Sequence, residues 1–126
     1  MTDLSLWLSP LPKTWIIDLD GVVLRHNGHL AGREEVLHGA SHLWAQFGPD
    51  DLVIVMSARH EHECAAALAV LRAHGLRVDR AVFGVPVGER ILINDDKPSG
   101  LRMAHAVNLP RDEGLGGIRV VIDETR

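Results

Sequence analysis

The 126-residue chain has one cysteine, Cys64, so no internal disulfide can form. Single-cysteine usage points to a reducing compartment, and the cytoplasm is the expected location. Positive charge is not in excess: 13 Lys and Arg stand against 17 Asp and Glu, a net charge of −4. Phosphate backbones demand concentrated Lys and Arg, so nucleic acid is not an expected partner. Long apolar runs are also missing. The N-terminal stretch carries Leu4, Leu6, Trp7 and Leu8 but no basic leader, and Pro10 and Pro12 break it. That reads against a signal peptide or a membrane span. Repeats and low-complexity tracts are absent too. What is present is the 46% hydrophobic and 24% charged composition of an ordinary globular protein. The expectation is one domain over 1–126, with 1–13 as an N-terminal arm that packs on the domain or meets a second copy in a homo-oligomer.

Apolar runs that read as buried strands alternate with helical patterns, the signature of an α/β fold with a mostly parallel sheet. The first strand is Thr14 to Leu19, with Ile16 and Ile17 expected to be buried on both faces. Asn27-Gly28 sits inside the following stretch, Val22 to Leu30, and predicts a β-hairpin flap over the end of that strand. A helix is expected over Ala40–Phe47, stopped by Gly48 and Pro49. Leu52–Met56 is the second strand, and a helix from about Glu61 to His74 follows, stopped by Gly75. Ala81–Phe83, Arg90–Ile93 and Ile118–Ile122 are the remaining predicted strands. Leu101–Leu109 fits helix and strand equally.

Three of these strands end in chemistry. Asp18 and Asp20 close the first, Ser57 the second, and Asn94-Asp95-Asp96-Lys97 the fourth. Parallel strands would bring all three ends to the edge where open α/β sheets bind ligands. Asp18 and Asp20 are two residues apart, so they point the same way if the strand persists, and two converging acids need a cation, a shared proton or a phosphate-bearing partner. Gly21 permits the turn that follows.

Taken together, these motifs resemble the haloacid dehalogenase superfamily of phosphotransferases. Asp18-Leu19-Asp20-Gly21-Val22 matches its first motif, Val53-Ile54-Val55-Met56-Ser57 its second, and Ile91-Leu92-Ile93-Asn94-Asp95-Asp96 its fourth. Glu89 to Gly100 further resembles small capless members grouped with capsule and surface-polysaccharide biosynthesis phosphatases. The resemblance implies a three-layer Rossmann-like fold without a cap domain and a Mg²⁺-dependent phosphatase working through an aspartyl-phosphate. Its substrate would be a small molecule or sugar phosphate. Asp18 would be the nucleophile and Asp20 the acid/base, with Ser57 holding a phosphoryl oxygen. Gly21, Ser57, Ala58 and Arg59 would meet the phosphate or the substrate. Asp18, Asp20, Asp95 and Asn94 would hold the Mg²⁺.

Two positions depart from the pattern. Val85 stands where the third motif has a lysine, which makes Lys97 the replacement candidate, with Arg59 and Arg90 as second choices. Asn94 stands where an acid is common. A catalytically decayed binding or regulatory protein is the alternative expectation. His60-Glu61-His62 lacks the companions of a zinc site and reads as a pair of solvated histidines with their rings apart. His26 and His29 flank the flap turn.

Overall fold

The structure is a computed structural model that describes residues 2–32 and 34–126. Two parallel sheets carry the fold. Thr14–Asp18 (β2), Leu52–Met56 (β3) and Arg80–Val82 (β4) form a three-stranded sheet in that order; Leu4–Leu8 (β1) pairs with Ile118–Ile122 (β5) in a second. Two helices, Ala40–Trp44 (α1) and Cys64–Ala73 (α2), occupy the β2-to-β3 and β3-to-β4 crossovers. Parallel neighbours need such crossovers, because the chain must return to the starting end of the sheet. Among the described residues no helix is long and apolar enough to cross a membrane.

β2 and β3 pair in register from Thr14↔Leu52 to Asp18↔Met56. Ile17, Val53 and Val55 point into the core, where they meet Ala40, Leu43 and Trp44 of α1 and Ala67 and Leu71 of α2. The opposite face is less covered than an apolar strand suggests: Ile16 is 51% exposed. The expectation that Ile16 and Ile17 are both buried therefore holds for Ile17 alone. An apolar pair in a strand puts one side chain on each face, and only one face is covered by the helices.

α1 ends three residues earlier than expected. Its last turn tightens into i→i+3 bonds, Gln46 N–H to Leu43 and Phe47 N–H to Trp44, ahead of Gly48. α2 opens on a 3-10 turn over Glu61–Glu63 and closes at Gly75, where the Gly75 and Leu76 N–H groups donate to Arg72 and Leu71. The N-terminal arm becomes strand β1. β5 is fastened to the α1 end by the Gln46 amide, which donates to the Ile118 carbonyl at 2.9 Å and accepts from the Val120 N–H at 2.7 Å.

Three expectations are corrected. No strand forms at Arg90–Ile93: from Phe83 to Gly117 the chain has neither helix nor strand, and Ile91, Leu92 and Ile93 are 79%, 61% and 90% exposed. A three-residue apolar run signals burial but names no partner edge, and pairing requires one. Leu101–Leu109 is likewise neither helix nor strand. The β-hairpin at Asn27-Gly28 is also absent. Asn27 does take a left-handed φ of +56°, but Gly28 N–H turns back to the Arg25 carbonyl. The pairing lies further out, with Arg25 N–H on Glu35 and Leu37 N–H on Val23, so the flap is a wide loop and not a two-residue hairpin.

Asp51 ties the start of the sheet together. Its nearly buried carboxylate accepts from the Lys13 N–H (2.9 Å), the Trp15 indole (2.9 Å) and the Gly48 N–H (2.8 Å). Burial pushes this carboxyl up, but those donors outweigh it and hold it below the usual aspartate range. A depressed folded-state value stabilises the fold above the unfolded-chain value and is lost as pH falls through the folded one. Asp51→Ala should therefore cost about 2–4 kcal/mol in urea unfolding at neutral pH. The gap between Asp51→Asn and the parent should narrow below about pH 4.

Candidate active site

The β2 and β3 ends build the site. Leu19 continues β2 by one residue, donating its N–H to the Met56 carbonyl at 3.2 Å, and its side chain is fully buried. Asp18 and Asp20 flank that anchor. The Leu19 carbonyl then accepts the N–H groups of Val22, Val23 and Leu24, winding the chain into a tight turn. Gly21 sits in that turn with φ +82°, and a Cβ there would come within 3.2 Å of Arg111 Cγ. Both facts favour glycine. Asp112 pins the same corner, its N–H on the Gly21 carbonyl and its carboxylate under the His26 N–H, each at 2.8 Å.

The loop after β3 is pinned just as firmly. Ser57 N–H donates to Val82, Val85 N–H to Ser57, and Gly84 N–H to Arg59. Ser57 is fully buried; its hydroxyl donates to Asp20 Oδ2 at 3.2 Å and accepts the Arg59 N–H at 3.0 Å. So Ser57 stands behind Asp20 as a support. Arg59 is the strongest organiser. Its Nε reaches Asp20 Oδ1 and Oδ2 at 3.1 and 3.2 Å, and its Nη2 reaches Asp20 Oδ1 at 2.8 Å. Its other edge holds Glu34, Nη1 at 2.7 Å and Nη2 at 2.9 Å. Burial opposes the guanidinium charge, yet the bonds to Glu34 and Asp20 outweigh it and raise the Arg59 pKa above the usual arginine value.

Asp18 is the more open carboxylate. Its Oδ1 accepts the Leu19 N–H at 3.0 Å and pairs with Arg90 Nη1 at 3.0 Å, with side-chain exposures of 37% and 38%. Among the described residues the site thus sets two guanidiniums, Arg59 and Arg90, against three carboxylates, Asp18, Asp20 and Glu34.

Of the residues named from sequence, Asp20, Ser57 and Arg59 are brought into contact, with Asp18 two residues from Asp20. Ala58 is exposed beside them. Asn94, Asp95 and Lys97 lie in the exposed stretch 91–100, where the Lys97 N–H donates to the Leu101 carbonyl. Among the described residues, no three His, Cys, Asp or Glu side chains are grouped to hold a metal ion. Among the described residues the cation paired with Asp18 is Arg90, a second choice from sequence, and not Lys97. His29 Nε2 faces Glu63 at 3.2 Å. His60 and His62 are exposed, but their rings stack at 5.5 Å instead of pointing apart; His60 is the extended N-cap ahead of the 3-10 turn, so helical spacing does not set its direction.

Sequence reading missed Glu34 and Arg111. Glu34 falls in a charged stretch that reads as solvated, and Arg111 lies 90 residues after Gly21. Neither spacing nor residue type marks them. Compared with known proteins, the chain matches no family model, no curated protein and no solved structure.

The Arg90–Asp18 pair is half exposed, and such pairs contribute about 0–1 kcal/mol. Arg90→Ala should therefore leave urea-unfolding stability within about 1 kcal/mol of the parent. A larger loss would make Arg90 a structural residue and not a site cation.

Proposed function

We propose that the chain is a phosphatase of the haloacid dehalogenase type, hydrolysing a phosphoric monoester through a phosphoaspartate on Asp18. The observation that carries this reading is the meeting of Asp20 and Ser57, 37 residues apart in sequence, at the ends of adjacent parallel strands with the accessible Asp18 beside them. Asp18 attacks phosphorus, and the P–O bond to the alcohol breaks as Asp20, entering the step in its protonated form, gives its proton to the leaving oxygen. Asp20 then takes a proton from water, which attacks the phosphoaspartate and releases inorganic phosphate with Asp18 restored. Arg90 beside Asp18 offsets the repulsion between carboxylate and phosphate.

The carboxylates are hard oxygen donors of the kind Mg²⁺ takes. As placed, however, Asp18 and Asp20 have no third ligating side chain grouped with them among the described residues, so these residues do not fit the ion and no step is written through it. The resemblance of Glu89 to Gly100 supports a phosphorylated sugar or surface-polysaccharide precursor as substrate. The β2-to-β3 crossover supports an uncapped site, since among its described residues it holds the flap and α1 and no other helix or strand.

A non-catalytic binding protein is the second reading. It is favoured by Arg59 and Arg90, which already pair with Asp20 and Asp18, and by Val85 in the third-motif place. One assay separates the two. Phosphate release from an aryl phosphate and a panel of sugar phosphates, with Mg²⁺ present, should fall by at least about 10³-fold in Asp18→Asn, because the nucleophile is gone. A folded parent protein inert on the whole panel would leave the binding reading standing. Repeating the assay in EDTA decides whether turnover needs a divalent cation.

A further inference from the structure

We propose that Arg59 and Glu34 are positioning residues that hold Asp20 in its working orientation; the inference rests on the reading of Asp20 as acid/base. The Arg59 side chain is only 4% exposed, so it does not face a ligand in solution. A buried guanidinium needs its N–H groups satisfied and its charge paired. Asp20 takes the Nε/Nη2 edge and Glu34 the Nη1/Nη2 edge.

One rigid plane therefore orients both carboxylates, a property of the arginine fork that a lysine ammonium cannot reproduce. Rotation of the Asp20 carboxylate is further limited by the Ser57 hydroxyl on Oδ2. The clamp itself is anchored at both backbone groups of Arg59, through Ser57 Oγ and the Gly84 N–H. Glu34 arrives from the outer limb of the flap, beside the Arg25–Glu35 backbone bond, so flap and catalytic carboxylate share one link. What is left of Asp20, about a fifth of its side chain, is the part open to a reacting group.

Positioning and substrate contact separate in steady-state kinetics on an aryl phosphate. Arg59→Lys should lower kcat about 10²-fold with KM changed less than about threefold, because misplacing a catalytic group slows the reaction without removing a binding contact. Glu34→Gln should lower kcat about 10-fold in the same pattern, and guanidinium ion should partly restore kcat to Arg59→Ala. A raised KM with kcat intact would make Arg59 a substrate ligand and overturn the proposal; so would an unchanged kcat in a folded variant.

A second measurement needs no turnover. Glu34→Gln should lower the urea midpoint of the parent and have no further effect in Arg59→Met, because the two share the bridge. Additive losses would overturn the bridge itself. A parent protein that shows the coupled losses yet hydrolyses no ester would instead sink the phosphatase reading, and the positioning role with it.

Discussion

The in-register parallel pairing of Thr14–Asp18 with Leu52–Met56 is the constraint on which the site depends. Matching Asp18 with Met56 places the two chains at the sheet edge together, and the Leu19 N–H on Met56 extends the match by one residue. The next residue on each side then comes into reach: Asp20 from one strand, Ser57 from the other. A slip of β2 by one residue would turn its side chains to the opposite face, carrying Asp18 toward the core and Ile17 and Leu19 out of it. The buried side chains of the core thus hold the polar ones in place.

Beyond that edge, electrostatics takes over from packing. Asp20 and Glu34 approach one another only because Arg59 stands between them, and Arg59 is tolerated in a nearly dry place only because both are there. The three form a unit, because losing either carboxylate would leave the buried guanidinium with one edge unpaired. Arg90 and Asp18 make a looser pair at the surface, held by less and screened by solvent. The site therefore has a rigid half built around Asp20 and a soft half around Asp18. In the proposed reaction, such a division suits a nucleophile that forms and then loses a bond to phosphorus while the acid/base keeps its direction.

Legibility in sequence followed the range of the interaction. β2, β3, β4 and β5 were marked by apolar runs, and α2 by its apolar pattern and Gly75. The Asn27-Gly28 signal was overridden: the Gly28 N–H donates to the Arg25 carbonyl, and the strand-like pairing lies further out at Arg25–Glu35 and Leu37–Val23. Ile91-Leu92-Ile93 misled for a different reason: burial of a strand is a property of the edge it meets, and that run meets none. Glu34 was invisible because its only distinction, the far edge of a buried guanidinium, exists after folding.

The chain alone determined the chemistry available: an acid pair on a strand end followed by glycine, a serine closing a second apolar strand, one cysteine and no basic patch. Local spacing sufficed, because strand alternation and turn geometry act over a few residues. Tertiary structure decided the partnerships. It chose Arg59 for Asp20 and Arg90 for Asp18, set Ser57 behind the carboxylate, left Asn94 and Asp95 in an exposed stretch, and recruited Glu34 from the flap. Charges choose partners by distance in space, and that distance is set only when the sheet edge and the flap have come together.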